Sequence, residues 1–406
     1  MAVPAGTVVM VIVVRVVVAM VAAVLARAGT VLVGGAGVCR HAGTIRPGAG
    51  GDYYIPGPHP PMPRRCRLEF GERASLAPPT PSSQPEMTVN QRRTDMLDTE
   101  PQAINAPLSI AAAFLVLSIK DDAASLATAR SVLGSTDDLV KNIVIRDVSG
   151  TFNCNVGISH RAWSPLTGKP MPRELAPFKE IRGATHTAVS TPGDLLYHVR
   201  APSMDLIVEF EKTLLDAFGD AAVAVDEVAG FRYFDARDLL GFVDGTANPD
   251  GLSLPAATLV GDEDPEHAGG SYVVVQKYLH DLAAWRARQV EEQERIIGRT
   301  KYDNTELPDA PAPEQKSHKT LCTIEDEQGE HDIFRCNMPF ANPGRGEYGT
   351  YFIGYSRRLW VTERMLERMF IGDPPPLHDR ILDVSKATTG TTFFAPNRKF
   401  LADLGG

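Results

Sequence analysis

The sequence predicts an α+β protein built from duplicated ferredoxin-like domains of the dimeric α/β barrel type, with helices packed on antiparallel sheets. Three observations carry this expectation. Apolar runs of strand length alternate with segments of helical apolar spacing. The order strand, helix, strands, strand, helix, strand occurs twice along the chain. The length, 406 residues, exceeds the usual size of one hydrophobic core, so two folded units are expected.

In the first half, Ala111–Ile119 (AAAFLVLSI) reads as a strand and Asp121–Leu133 as a helix stopped at Gly134. Asn142–Arg146 and Phe152–Ile158 read as strands, Arg161–Arg182 as a loop because of its prolines, and Asp194–Val199 as a strand. In Ser203–Phe218 the residues Leu206, Ile207, Phe210, Leu214, Leu215 and Phe218 recur at helical intervals, with Gly219 placed to cap the end. The second half begins with the strand Ser271–Leu279. A helix over Asp281–Ile297 follows, with Asp281 at its N-cap and Gly298 beyond its end. Phe334–Phe340 and Gly349–Tyr355 read as strands, and Thr362–Phe370 as a helix with Met365, Leu366, Met369 and Phe370 on its apolar side. The divisions that follow are an extension over 1–96, an N-terminal domain over 97–235 and a C-terminal domain over 236–406.

Residues 1–86 differ from the rest: they hold eight arginines and no lysine, with Gly- and Pro-rich patches. Thr7–Leu25 is an apolar run broken by Arg15, but nothing basic precedes that arginine, as an export signal would require. Three readings stay open: a misplaced start, with Met87 or Met96 as the true one; a membrane or export signal; and a disordered extension. A net charge of -9 and a pI near 5.6 argue against a nucleic-acid partner. The five cysteines, at 39, 66, 154, 322 and 336, form no CxxC pair and no metal-ligand spacing, which favours reduced thiols in a cytoplasm.

The chemistry centres on Leu239–Pro249 (LLGFVDGTANP), which sets Asp244 between Gly241 and Gly245 directly after an apolar run. Glycine there lets the backbone turn sharply and approach a flat ligand, and Thr246 and Asn248 offer hydrogen bonds to the turn. A plain Asp-Gly turn is the competing reading. His318, in KSHKTLCTI, is read at the start of an apolar strand; seventeen residues further on, Arg335 and Asn337 share one face of FRCNMPF. A carboxylate, a guanidinium, a carboxamide and an imidazole would then converge on one cavity. Taken singly, His318 also reads as a surface or hydrogen-bonded core residue, and Arg335 as a solvated charge.

The blocks LLGFVDGTANPDG, SYVVVQKYLHDLAAW, SHKTLCTI, FRCNMPF, GTYFIGY and ERMFIGDPP, in this order, closely resemble the dye-decolorizing haem peroxidases, in the bacterial branch without long insertions. The resemblance covers about residues 97–405. It implies two ferredoxin-like domains, with one haem b per chain held mainly by the C-terminal one. It makes His318 the proximal iron ligand, Asp244 the distal acid and Arg335 the distal arginine, with Asn337 at a distal position that varies in the family. Phe242, Gly245 and Thr246 would touch the haem and Phe352 would line its distal face. Asp383 is assigned to accept the proximal His N–H. His186 and Arg182 are candidates for a propionate or for substrate access, with a structural loop role as the alternative, and Tyr302 and Trp285 for electron relay, with core packing as the alternative. The function implied is reduction of hydrogen peroxide through an oxyferryl intermediate and oxidation of bulky donors such as dyes and phenolics. A haem-handling or iron-handling protein with incidental peroxidase activity is the alternative. A homo-oligomer is expected, with no membrane association of the folded part. Packaging in an encapsulin shell is not expected, because no docking peptide is evident after Leu401–Gly406 (LADLGG).

Overall fold

The computed structural model describes residues 99–147 and 149–406. The 1–96 extension, with its apolar run and with Met87 and Met96, lies outside them. In the first half, β1 (Ala111–Ile119) is followed by α1 (Ala123–Gly134), α2 (Thr136–Val144), β2 (Asn153–Ser159) and α3 (His160–Thr167). A short hairpin of β3 (Ile181–Arg182) and β4 (Thr187–Ala188) leads to β5 (Leu195–Ala201), α4 (Met204–Phe218) and β6 (Ala222–Phe231). Strand order is β6-β1-β5-β2, all antiparallel, which is the fourth-first-third-second order of a ferredoxin-like unit.

The second half repeats this plan. After α5 (Ser253–Thr258), β7 (Ser271–His280) is its first strand, and α6 (Leu282–Arg286), α7 (Val290–Ile297) and α8 (His318–Cys322) follow. The hairpin of β8 (Ile324–Asp326) and β9 (Gly329–His331) precedes β10 (Phe334–Arg335) and β11 (Met338–Asn342), which together make the second strand. β12 (Glu347–Ser356) is the third, α9 (Leu359–Ile371) packs behind it, β13 (Ser385–Ala387) adds to β7, and β14 (Thr391–Ala395) is the fourth, ahead of α10 (Arg398–Ala402).

The two sheets merge into one of ten strands where β14 pairs with β2, Phe393 opposite Ser159 and Phe394 opposite Ile158. At the outer edges Gly230 on β6 meets β11 so closely that a Cβ there would lie 2.5 Å from that of Met338, so the sheet curls round towards a barrel. Both faces are covered, which is why β1 is a continuous apolar run and not an alternating one. Ala113, Leu115 and Leu117 face the helices, while Phe114 and Val116 face the inside of the curl. There Phe114 stacks between His198, at 4.9 Å, and Tyr351, at 4.2 Å. Each such buried ring contributes roughly 1.5–3 kcal/mol. Among the described residues no helix is long and apolar enough to cross a membrane.

Four local expectations fail for physical reasons. Asn142–Arg146 is no strand: α2 runs into it and ends at Val144, with Asp137 and Asp138 in its first turn favouring the helix dipole. The span expected as a loop contains α3, because Ser159 caps it and Ala162, Trp163 and Leu166 bury one face, which outweighs Pro165. The helix read over Asp281–Ile297 breaks into α6 and α7. Finally, His318 opens α8, capped by Ser317, and does not start a strand.

Candidate active site

Between the β7–β12 face, α9 and the 238–244 turn lies a cavity of about 980 Å³, part of it open to solvent. Leu240, Phe242, Ile297, Ile333, Phe352 and Met365 are among its apolar walls, and Asp238, Asp244, His280, His318, Arg335 and Asn337 are among its polar lining. An adjoining recess of about 710 Å³ shares Asp244, His318 and Arg335 and extends to Gly245 and Thr246. Every lining residue comes from the second half.

The turn is held from its own sequence. Gly241 and Gly245 adopt φ of 94° and 76°, in the left-handed region that glycine alone enters without strain. The Asp238 carboxylate accepts the Phe242 N–H at 2.9 Å, and Asp244 Oδ1 accepts the Gly245 N–H at 2.7 Å. Asn248 then reaches across 87 residues: its Oδ1 accepts the Arg335 N–H at 3.0 Å and its Nδ2 donates to the Arg335 carbonyl at 2.8 Å. The carboxamide thus completes both free backbone groups of β10 as a neighbouring strand would, and this brings Arg335 to the Asp244 turn. Asn337 Nδ2 donates to Asp244 Oδ1 at 3.5 Å, while its Oδ1 accepts the Ile353 N–H at 3.2 Å, which breaks the strand between β10 and β11. Asp244 and Arg335 form no direct ion pair among the described residues; Asn337 bonds Asp244, while Arg335 is held by Asn248. Arg335 Nε is buried with no partner.

Facing this wall, His318 Nδ1 lies 2.6 Å from Asp379 Oδ2, and Asp379 is fully buried. Asp379 Oδ1 also accepts the Ile381 N–H at 3.1 Å, which fixes the carboxylate plane. Burial by itself would push the imidazole pKa down, but Cys322 and the Asp379 carboxylate beside the ring outweigh it and raise it well above the ordinary imidazole range. Cys322 Sγ is 3.7 Å from Nδ1 and 3.9 Å from Nε2. The expectation that Asp383 accepts the His318 N–H is therefore corrected: Asp379 does so. Asp383, four residues later, points elsewhere, to His378 at 3.0 Å and Arg380 at 3.1 Å.

Of the remaining expected residues, Phe242 is buried and packs edge-on against Trp285 at 6.2 Å, with Lys301 Nζ 5.5 Å from its ring. Phe352 lines the cavity. Thr246 is exposed and accepts from Asn304 Nδ2 at 2.9 Å. His186 and Arg182 lie outside both recesses. Trp285 is core, its indole donating to the Leu240 carbonyl at 2.8 Å, whereas Tyr302 is on the surface. Sequence reasoning missed Asp379, Asp238 and His280. His280 is fixed by Ser385 at 2.8 Å and Thr350 at 2.9 Å, and burial lowers its pKa to about 4, so it is neutral near pH 7. No spacing pattern marks any of the three.

A family model described as Dyp-type peroxidase, N-terminal, matches residues 101–232, and one described as Dyp-type peroxidase, C-terminal, matches 235–400. The chain belongs to the Dyp-type peroxidase family. A dye-decolorizing peroxidase of Mycobacterium tuberculosis is 52% identical over 302 residues, 74% of this chain and 89% of the relative. Among solved structures, DyPB from Rhodococcus jostii RHA1 is 50% identical with a TM-score of 0.73, over 76% of this chain and 99% of that one. The encapsulated DyP-type peroxidase from Mycobacterium smegmatis is 53% identical with a TM-score of 0.72, over 75% and 98%.

As a Dyp-type peroxidase, this chain is an oxidoreductase that acts on peroxide with haem as its cofactor. The cavity fits that group: it has apolar walls, one imidazole whose Nδ1 is already tied to a carboxylate, and an unpartnered guanidinium nitrogen. One expectation is overturned. Packaging in a shell was set aside for want of a docking peptide, yet a relative with this same folded body is encapsulated. A docking segment is separate from the folded body, so nothing in the fold argues against packaging.

Proposed function

We propose that His318 would ligate the iron of a b-type haem in this Dyp-type peroxidase, that Asp244 and Arg335 activate hydrogen peroxide, and that Asn337 positions Asp244. The observation that carries this reading is the convergence of Asp244, Asn337 and Arg335 on one cavity with an imidazole tied to a buried carboxylate. Haem supplies the iron at which peroxide is reduced and through which the donor loses electrons. Asp379 accepts the Nδ1–H hydrogen bond of His318, which orients the ring, and Nε2, on giving up its proton as haem binds, would be the donor atom. Asp244 Oδ1 is occupied by Gly245 and Asn337, so Oδ2 takes the proton of hydrogen peroxide and returns it to the leaving oxygen as water. The Arg335 guanidinium stabilises the negative charge that develops as the O–O bond breaks. Phe242 and Phe352, with Gly245 and Thr246 in the adjoining recess, would hold the flat group.

Bulky donors such as dyes and phenolics are oxidised from outside the pocket. The chain works as a homo-oligomer in a cytoplasm. The free thiols Cys154, Cys322 and Cys336 support a reducing compartment, and the encapsulated relative supports packaging in a protein shell. Asp244→Asn and Arg335→Leu are expected to keep haem while the reaction with one equivalent of peroxide slows by about 10²–10⁴-fold, read by stopped-flow absorption. His318→Ala is expected to lose haem. Reaction at the parent rate in both distal variants would overturn the assignment.

A further inference from the structure

Outside the haem cavity, three side chains from separate segments converge. His186 sits in the β3–β4 turn, His378 in the loop after α9, and Asp383 at the end of the 3-10 helix Arg380–Asp383. Asp383 Oδ1 lies 3.0 Å from His378 Nε2 and 3.4 Å from His186 Nε2, and the two imidazoles stand 4.7 Å apart, nearly perpendicular. All three donor atoms fall within 4.8 Å of one another. We propose that this cluster binds a divalent transition-metal ion of the zinc type, with His186 Nε2, His378 Nε2 and Asp383 Oδ1 as protein ligands and a fourth position left to water.

The spacing supports the ion directly. Around a tetrahedral ion with bonds of about 2.0–2.1 Å, ligand atoms stand about 3.3 Å apart; the two edges that meet at Asp383 Oδ1, 3.0 and 3.4 Å, bracket that value, and the edge between the imidazoles is within 4.8 Å. An ordinary surface ion pair accounts for the cluster less well. The other carboxylate oxygen, Oδ2, already faces Arg380 at 3.1 Å and Arg288 at 3.5 Å, so Asp383 needs neither imidazole for neutralisation. Glu292 in turn holds Arg288 at 2.6 Å and Arg380 at 3.5 Å. These two cations and two carboxylates cancel, so the frame sets no net charge against an incoming cation.

Each backbone is fixed independently of the side chains. The β3–β4 turn is closed by the Gly183 N–H on the His186 carbonyl at 2.9 Å, and a Cβ on Gly183 would lie 1.8 Å from the Phe370 carbonyl oxygen, so the turn is pressed against the end of α9. The His378 carbonyl accepts from Gln315 Nε2 at 2.9 Å. His186 and Asp383 border an open depression of about 910 Å³ that shares only Ser385 with the haem cavity, which gives water and the ion a way in. A bound ion would therefore tie a hairpin of the first half to a loop of the second.

The test is a zinc titration of the haem-loaded full chain by calorimetry, with cobalt(II) absorption as the optical probe of coordination. Loading with haem first keeps His318, Cys322 and Asp379 from competing as a second metal-binding group. One zinc per chain is expected, with tetrahedral cobalt bands, and affinity at least about tenfold weaker in His378→Ala and in His186→Gln. The haem absorption band of each variant reports that it is folded, and the two substitutions lie on separate segments, so either suffices. Absence of stoichiometric binding to the parent chain, or binding within twofold of the parent in a folded variant, would overturn the proposal.

Discussion

Replacing Asn248 by alanine tests the argument that one carboxamide places the distal arginine. The side chain makes two hydrogen bonds, at 2.8 and 3.0 Å, to the carbonyl and N–H of Arg335, and both backbone groups lie in a partly buried strand with no other partner on that side. Each bond contributes about 1 kcal/mol net, and an orphaned partner adds a desolvation cost, so Asn248→Ala should lose about 2–4 kcal/mol. The second effect is kinetic. Freed from the turn, β10 shifts relative to Asp244, and a misplacement of about 1 Å costs on the order of 10²-fold in a reaction that depends on converging groups. Guanidinium denaturation and stopped-flow reaction with peroxide would read the two effects separately. Asn248→Asp supplies an internal control, because its carboxylate still accepts from the Arg335 N–H but cannot donate to the carbonyl; its losses should fall between parent and alanine. A folded Asn248→Ala variant with parent stability and parent peroxide rate would refute the clamp.

Three further outcomes follow from particular side chains. Asp379→Asn removes the charge that His318 Nδ1 faces and should weaken haem retention about 10–100-fold, measured by transfer to an excess of apo-globin. Burial raises the Asp238 carboxyl to about 7, against hydrogen bonds from the Phe242 and Gly241 N–H groups and with the charge of Asp244 adding to the rise. Since the unfolded carboxyl ionises near about 3.9, its favourable contribution is complete below that pH and is lost as pH rises through 7. Asp238→Asn should therefore flatten the stability–pH curve over this window and match or exceed the parent above it, as read by thermal melts from pH 4 to 8; a variant that weakens steadily with pH like the parent would contradict this. Glu263 behaves oppositely: hydrogen bonds from Arg357 lower its carboxyl to about 2, so its contribution is present above about 4.5 and disappears as pH falls through 2. With Arg357 partly exposed, Glu263→Gln should cost only about 1 kcal/mol at neutral pH and nothing in strong acid.

Much of the sheet was legible because strands buried on both faces leave long apolar runs, as in Ala111–Ile119 and Ser271–His280. Helix α4 was legible through its 3.6-residue spacing and terminal glycine. What misled were short segments decided by neighbours, such as α2, where apolar residues near Asn142–Arg146 mimic a strand while the acidic first turn and packing on α4 make a helix. At the site, Asp244 and Arg335 stood out by motif. The partner of His318 did not: it lies 61 residues away, within a proline-rich stretch that has no periodicity. Asp379 and Asp383 cannot be told apart on local grounds, and only the packed loop shows which one turns inward. The role of Asn248 was likewise hidden, since a turn residue gives no sign that it reaches a strand so far along the chain.

The pairing of β14 with β2 bears on how the protein is made. The first half has all four of its strands by residue 231, so its sheet can close while the rest of the chain is still being synthesised. The second half must wait for Thr391–Ala395, because β14 is both its last strand and the one that docks on β2. Until then the Ser271–Val275 stretch of β7 and the edge of β2 both lack their partner. A ribosome stalled before residue 391 would therefore present a finished half beside an open one, a form suited to chaperone capture and liable to join edge to edge with another nascent chain.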